Sequence, residues 1–152
     1  MRDLQSLLTL HEHLCQQRDG VRALVQQAEQ ALRTARTKAE QLLAYRSEYQ
    51  QRWQDSFQRG GEIQIVMHYQ SFMGRLSAAI EQQRGTCLQL EQQHARLGKS
   101  LVDAERRVAS TARLIERRRQ ARHAVAQRSE QKQMDELATR VMWNRRPGPA
   151  DP

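Results

Sequence analysis

Two heptad frames meeting at a single Gly-Gly pair leave this chain little choice of fold. The first frame starts at residue 4 and runs through Leu4, Leu7, Leu14, Val21, Val25, Ala28, Leu32, Ala35, Ala39, Leu42, Tyr49 and Trp53, so twelve of its sixteen positions are apolar. Apolar residues alternating at spacings of three and four make a narrow stripe along a helix that must meet another helix. The four exceptions are His11, Arg18, Arg46 and Ser56; a long side chain is tolerated there because it reaches water out of a thin interface. The second frame runs through Val66, Tyr69, Met73, Leu76, Ile80, Cys87, Leu90, Leu97, Leu101, Ala104, Val108 and Ile115, twelve of fifteen positions, with Gln83, His94 and Thr111 as exceptions.

Gly60-Gly61 lies between the frames, with Arg59 before it and Glu62 after. Glycine supplies the left-handed conformation that ends a helix, and an acid suits the start of the next. In an antiparallel hairpin the numbers of facing residues add to a constant. A constant of 122 sets Trp53 against Tyr69, Leu42 against Ile80, Leu32 against Leu90, Val21 against Leu101 and Leu7 against Ile115, and centres the turn on residue 61. The expected fold is all-α: a long antiparallel two-helix coiled-coil hairpin. Helix one covers about 3–57, the turn 58–62 and helix two about 63–143, as a single domain of 1–143 with a disordered tail over 144–152.

Beyond Arg118 the facing residue would be number 3 or lower, so the second helix runs out of partner. Residues 119–140 hold no Pro or Gly and many strong helix formers, so the helix is expected to overhang until Asn144, with Pro147-Gly148-Pro149 ending regular structure. At about 1.5 Å per residue the paired part spans on the order of 80 Å and the second helix roughly 120 Å. An unpaired arm of some twenty residues is marginal alone and calls for a partner.

Composition agrees with a thin seam. Only 38% of residues are hydrophobic and 5% aromatic, too few large side chains for a rounded core of 152 residues. No apolar run approaches the roughly 18 residues that cross a bilayer, and Asp3, His11, Glu12 and His13 break the N-terminal stretch, so neither a membrane span nor a signal peptide is read. Cys15 and Cys87 fall too far apart in this register for a disulfide and fit a reducing cytoplasm. The net charge is +8, and from Glu116 to Arg146 nine basic residues stand against four acids, so most of the excess lies in the last fifth of the chain.

The residues that resemble chemistry lack its context. His11 and Cys15 have the i, i+4 spacing of helical zinc ligands but no third ligand, and are read as a polar end of the seam. Gly98-Lys99-Ser100 matches the end of a phosphate-binding loop, yet the required first glycine is Gln93 and no strand precedes it. Two helices offer no water-excluding pocket in which a catalytic group could be tuned, so no enzyme activity, cofactor or small-molecule ligand is expected. The Arg117, Arg118, Arg119 and Arg122 run could meet phosphates, but neither a zipper dimer nor base-stacking aromatics accompany it, so nucleic-acid binding is set behind a solvated helix face.

One pattern exceeds the seam. Lys38, Leu42, Tyr45 and Tyr49 follow i, i+4, i+7, i+11 spacing, Phe72, Leu76, Ala79 and Gln83 repeat it, and the register lays the rows side by side. Tyr45 and Phe72 are off-frame and expected to be partly exposed, as in a protein-binding hot spot; a widened seam is the competing reading.

The order of features resembles the FliJ family, the small coiled-coil component of the bacterial flagellar type III export apparatus. The resemblance rests on Leu42, Tyr45, Glu48 and Tyr49, on Tyr69, Gln70, Phe72, Leu76, Ala79 and Ile80, and on Gln131, Lys132, Met134, Asp135, Glu136, Ala138 and Arg140. It implies a non-enzymatic stalk, resembling the γ subunit of rotary ATPases, that enters and stimulates a hexameric export ATPase. It also implies a link to the transmembrane export gate protein and escort of the export chaperones of late substrates, in service of flagellum assembly, motility and chemotaxis. On this resemblance Lys38, Leu42, Tyr45, Tyr49, Phe72, Leu76, Ala79 and Gln83 form the export-gate face, although family members often carry Gln and His where this chain has Lys38 and Gln83. The ATPase-facing set is Arg117, Arg118, Arg119, Arg122, Lys132, Asp135 and Glu136. The implied location is cytoplasmic, peripheral to the inner membrane at the flagellar base. The alternatives are the equivalent stalk of a virulence injectisome and a generic cytoplasmic scaffold; the Tyr69 to Phe72 and Lys132 to Glu136 runs favour the flagellar family.

Overall fold

The structure is a computed structural model that describes residues 2–145 and Gly148, the side chain of Arg2 excepted. Most of the expected tail over 144–152 lies outside the described residues. Two helices, α1 (Arg2–Gln58) and α2 (Ile63–Asn144), account for all the regular structure among the described residues, and α2 is the longer. The chain is an all-α antiparallel helical hairpin. It divides into two units, Cys15–Glu105 and Met1–Leu14 with Arg106–Pro152.

The first unit contains the turn. The end of α1 tightens, with the amides of Arg59 and Gly60 donating to the carbonyls of Ser56 and Phe57. Gly60 then takes φ +88°, which costs a residue with a Cβ about 1 kcal/mol or more. At Gly61 a Cβ would lie 3.2 Å from the Phe57 ring, which would have to move by a few tenths of an ångström to admit it. The Glu62 carbonyl accepts from the amides of Ile65 and Val66 and so starts α2.

Along this unit the frames are what the fold buries. Ala28, Leu32, Ala35, Leu76, Ile80 and Ala104 are buried, Ile80 most deeply at 2% exposed. Every other frame position from Arg18 to Leu101 is partly protected except Ser56, which is exposed. Next to the turn the seam becomes an aromatic ladder: Phe57 meets Trp53 at 5.4 Å between ring centres, Trp53 meets Tyr69 at 4.8 Å, and Tyr49 meets Phe72 at 4.5 Å. Offset and edge contacts of this kind add about 0.5–1.5 kcal/mol each beyond the area they bury. Beside the buried Ala35 the Gln83 amide crosses the seam to donate to the Ala35 carbonyl at 2.9 Å.

In the second unit the first three turns of α1 pair with α2. His11 and Thr111, both polar exceptions whose numbers add to 122, meet across the seam at 2.7 Å, and the Thr111 hydroxyl also contacts the Val108 carbonyl of its own helix at 2.9 Å. Thr111 and Ile115 are buried. The pairing ends with Arg118 and Asp3 at 3.6 Å. From 116 to 144 every residue of α2 is exposed, so its last eight or so turns gain nothing from burial and rest on helix propensity and local bonds.

Candidate binding faces

The heptad positions divide the first expected face into two rows. Leu42, Tyr49, Leu76 and Gln83 are seam residues: Leu76 is buried, the other three are half-buried, and Gln83 is engaged with the Ala35 carbonyl. Lys38, Tyr45, Phe72 and Ala79 lie one position outside the seam, all on the same flank. Tyr45 is 46% exposed and Lys38 is exposed, while Phe72 and Ala79 are half-buried. The structure brings three of the eight together as a cluster, with Tyr45 5.9 Å from Tyr49 and 6.2 Å from Phe72. Lys38 and Gln83 meet at a shallow groove farther along the same flank. Phe72 is therefore both a face residue and part of the ladder that holds the turn, and the two readings of the row divide residue by residue.

The opposite flank has a different character. Arg36 pairs with Glu91 at 3.1 Å, Arg22 with Glu105 at 3.7 Å, and His94 with Glu29 at 3.4 Å, all between the two helices. The two Arg–Glu pairs are exposed and worth at most about 1 kcal/mol each, but opposite charges at facing flank positions favour this register.

The second expected set lies on the unpaired stretch of α2. Successive residues on a helix turn by about 100°, so Arg117 and Arg119 stand roughly 200° apart and the four arginines form no single patch. Arg118 and Arg122 share a face one turn apart, the face that continues the seam, and Arg118 already pairs with Asp3. Lys132, Asp135 and Glu136 border one shallow surface depression with Arg140. Within it the Asp135 carboxylate accepts from the Gln131 amide at 3.2 Å.

A further feature of this arm was overlooked in the sequence. Met134, Leu137 and Val141 are all exposed, Met134 at 65%, and their i, i+3, i+7 spacing makes one apolar stripe. The spacing was visible, but the stripe does not continue the seam frame. Among the described residues no group of three or more His, Cys, Asp or Glu side chains is placed to hold a metal ion, and no helix is long and apolar enough to cross a membrane.

No curated protein and no solved structure matches the chain. A family model does: the model of the flagellar FliJ protein matches residues 1–147. With nearly the whole hairpin inside that match, the chain belongs to the FliJ family and is a component of flagellar type III protein export.

Proposed function

We propose that the protein is the stalk of the export machine: its unpaired C-terminal helix engages the hexameric export ATPase and stimulates it, and its Tyr45–Phe72 row engages the transmembrane export gate protein. The observation that carries the first half is the arm itself. About 25 exposed residues of helix, with a basic start and an apolar stripe, bury nothing against α1, and a marginal helix of this kind is stabilised by docking. The arginines steer approach to acidic or carbonyl-rich surfaces, while Met134, Leu137 and Val141 supply the desolvated contact. The gate reading rests on the exposed Tyr45 ring beside Phe72 on a chain with seven aromatic residues. Escort of chaperones for late substrates, and residence at the cytoplasmic face of the inner membrane at the flagellar base, follow from the same reading.

The test is truncation after Ile115 in an ATPase assay with the purified export ATPase of the same organism. The truncated chain keeps its paired helices, seen by circular dichroism, and loses stimulation. Full stimulation by the truncated chain would sink the arm's assignment and move the active element to the paired helices.

A further inference from the structure

From Arg106 to Arg128, eight arginines stand against a single acid, Glu116. Of the eight, only Arg118 has an ion-pair partner among the described residues. At about 100° per residue, steps of seven, four and eleven bring Arg106, Arg113, Arg117 and Arg128 within an arc of about 60° on α2. All four are exposed, and their arc is turned away from Thr111 and Ile115, which this unit buries. Ser110 and Ala124 share the arc, while Glu116 sits to one side and accepts from the Gln120 amide at 3.4 Å. Arg117 is the one member of the expected ATPase-facing set on this row, and it stands about 100° or more from Arg118, Arg119 and Arg122. The Met134, Leu137 and Val141 stripe lies roughly a third of a turn around. Asp135, on the same line, ends the row.

A row parallel to a helix axis lets every charge on it meet a flat surface at once. From Arg106 to Arg128 the row is about 33 Å long. Other polyanions fit it less well. The phosphates of a nucleic-acid duplex wind about its axis, so a row of this form meets them only at intervals. An acidic protein face needs a desolvated apolar centre, and Ser110 and Ala124 supply none. A bilayer of anionic lipid asks only for positive charge presented along a plane.

We propose that Arg106, Arg113, Arg117 and Arg128 form a lipid-binding row, along which α2 lies on an anionic bilayer with its guanidinium groups on the headgroup phosphates. Each guanidinium presents a fork of donors that matches the oxygens of a phosphate. With no large apolar side chain on the row, nothing inserts, so the contact is reversible and weakens with salt. The inference rests on the stalk reading only for the nearness of a membrane, and it leaves the Met134–Val141 stripe turned to one side of the lipid.

The experiment sediments the full chain with vesicles of equal parts phosphatidylglycerol and phosphatidylcholine, and with vesicles of phosphatidylcholine alone, at low and physiological salt. The parent is expected to bind the first and not the second, and to lose affinity as salt rises. Arg106→Glu, Arg113→Glu and Arg128→Glu together are expected to lower the affinity about a hundredfold or more, since each basic residue near an anionic surface is worth roughly fivefold. A control variant carries Arg33→Glu, Arg59→Glu and Arg75→Glu, which give the same net charge from exposed positions off the row, and is expected to keep most of the affinity. Should the reversed row fail to fold by circular dichroism, Arg106→Gln, Arg113→Gln and Arg128→Gln decide in its place. A parent that ignores anionic vesicles, or equal losses in the row and control variants, overturns the proposal. So does tighter binding of the parent to duplex DNA at matched phosphate concentration, lost on the same reversal, which would give the row to nucleic acid. ATPase stimulation is read in lipid-free buffer, so the stalk reading stands or falls apart from this result.

Discussion

Thr111 shows how a polar residue earns a place in an apolar seam. Its hydroxyl meets His11 across the hairpin and a backbone carbonyl on its own helix, so nothing polar is left unpaired at a buried position. Thr111→Val should therefore cost about 1 kcal/mol in a thermal or urea melt, since it keeps the volume and removes the acceptor that His11 meets. Combining His11→Leu with Thr111→Val should recover that loss or exceed it, because a fully apolar layer needs no hydrogen bond. At a deeper position the response is harsher. Leu32 is 6% exposed, and Leu32→Asp should cost about 3 kcal/mol or more, enough to erase most of the helical signal at 25 °C. Gly60→Ala, forced to φ +88°, should lower stability by roughly 1 kcal/mol without touching either binding face.

On the scale of the two helices, the seam was legible because a frame of spacing three and four depends on each helix alone. The register came from one more constraint, the constant sum about Gly60-Gly61, and His11 with Thr111 obeys it. A cysteine pair at 32 and 90 should accordingly crosslink readily under mild oxidation, whereas pairs offset by a full turn should not. The flanks were less legible. Whether Arg36 finds Glu91, or Lys38 has no ion-pair partner among the described residues, depends on both helices at once and on which side each residue takes. The arginine run is spread for the reverse reason: neighbours in sequence are about 100° apart on a helix, so Arg122 shares a face with Arg118 and Arg119 while Arg117 lies away from it. For the arm, Met134→Ser with Leu137→Ser and Val141→Ser should abolish ATPase stimulation while leaving the paired helices as stable as before. Reversing Arg117 and Arg119 alone should mainly slow association and make it more sensitive to salt.

For the chain as a whole, the aromatic ladder beside the turn has a consequence for how the molecule assembles and comes apart. Phe57 and Tyr69, 5.8 Å apart, close a loop of only about a dozen residues, whereas Arg118 and Asp3 meet only after more than a hundred residues have been gathered in. Loop closure is entropically cheapest for the shortest loop, and six of the seven aromatic residues are placed where that loop closes. The hairpin should then fold as a zipper that nucleates at Gly60-Gly61 and runs outward, and amide exchange should quicken steadily from Tyr49 and Tyr69 toward Leu4 and Ile115. A Trp53→Ala variant should slow refolding, while Leu7→Ala should chiefly hasten unfolding. The helix pairs predicted to open first belong to the same unit as the bare stretch of α2, so a partner docked on that stretch could grip it, or let it go, without the turn ever loosening.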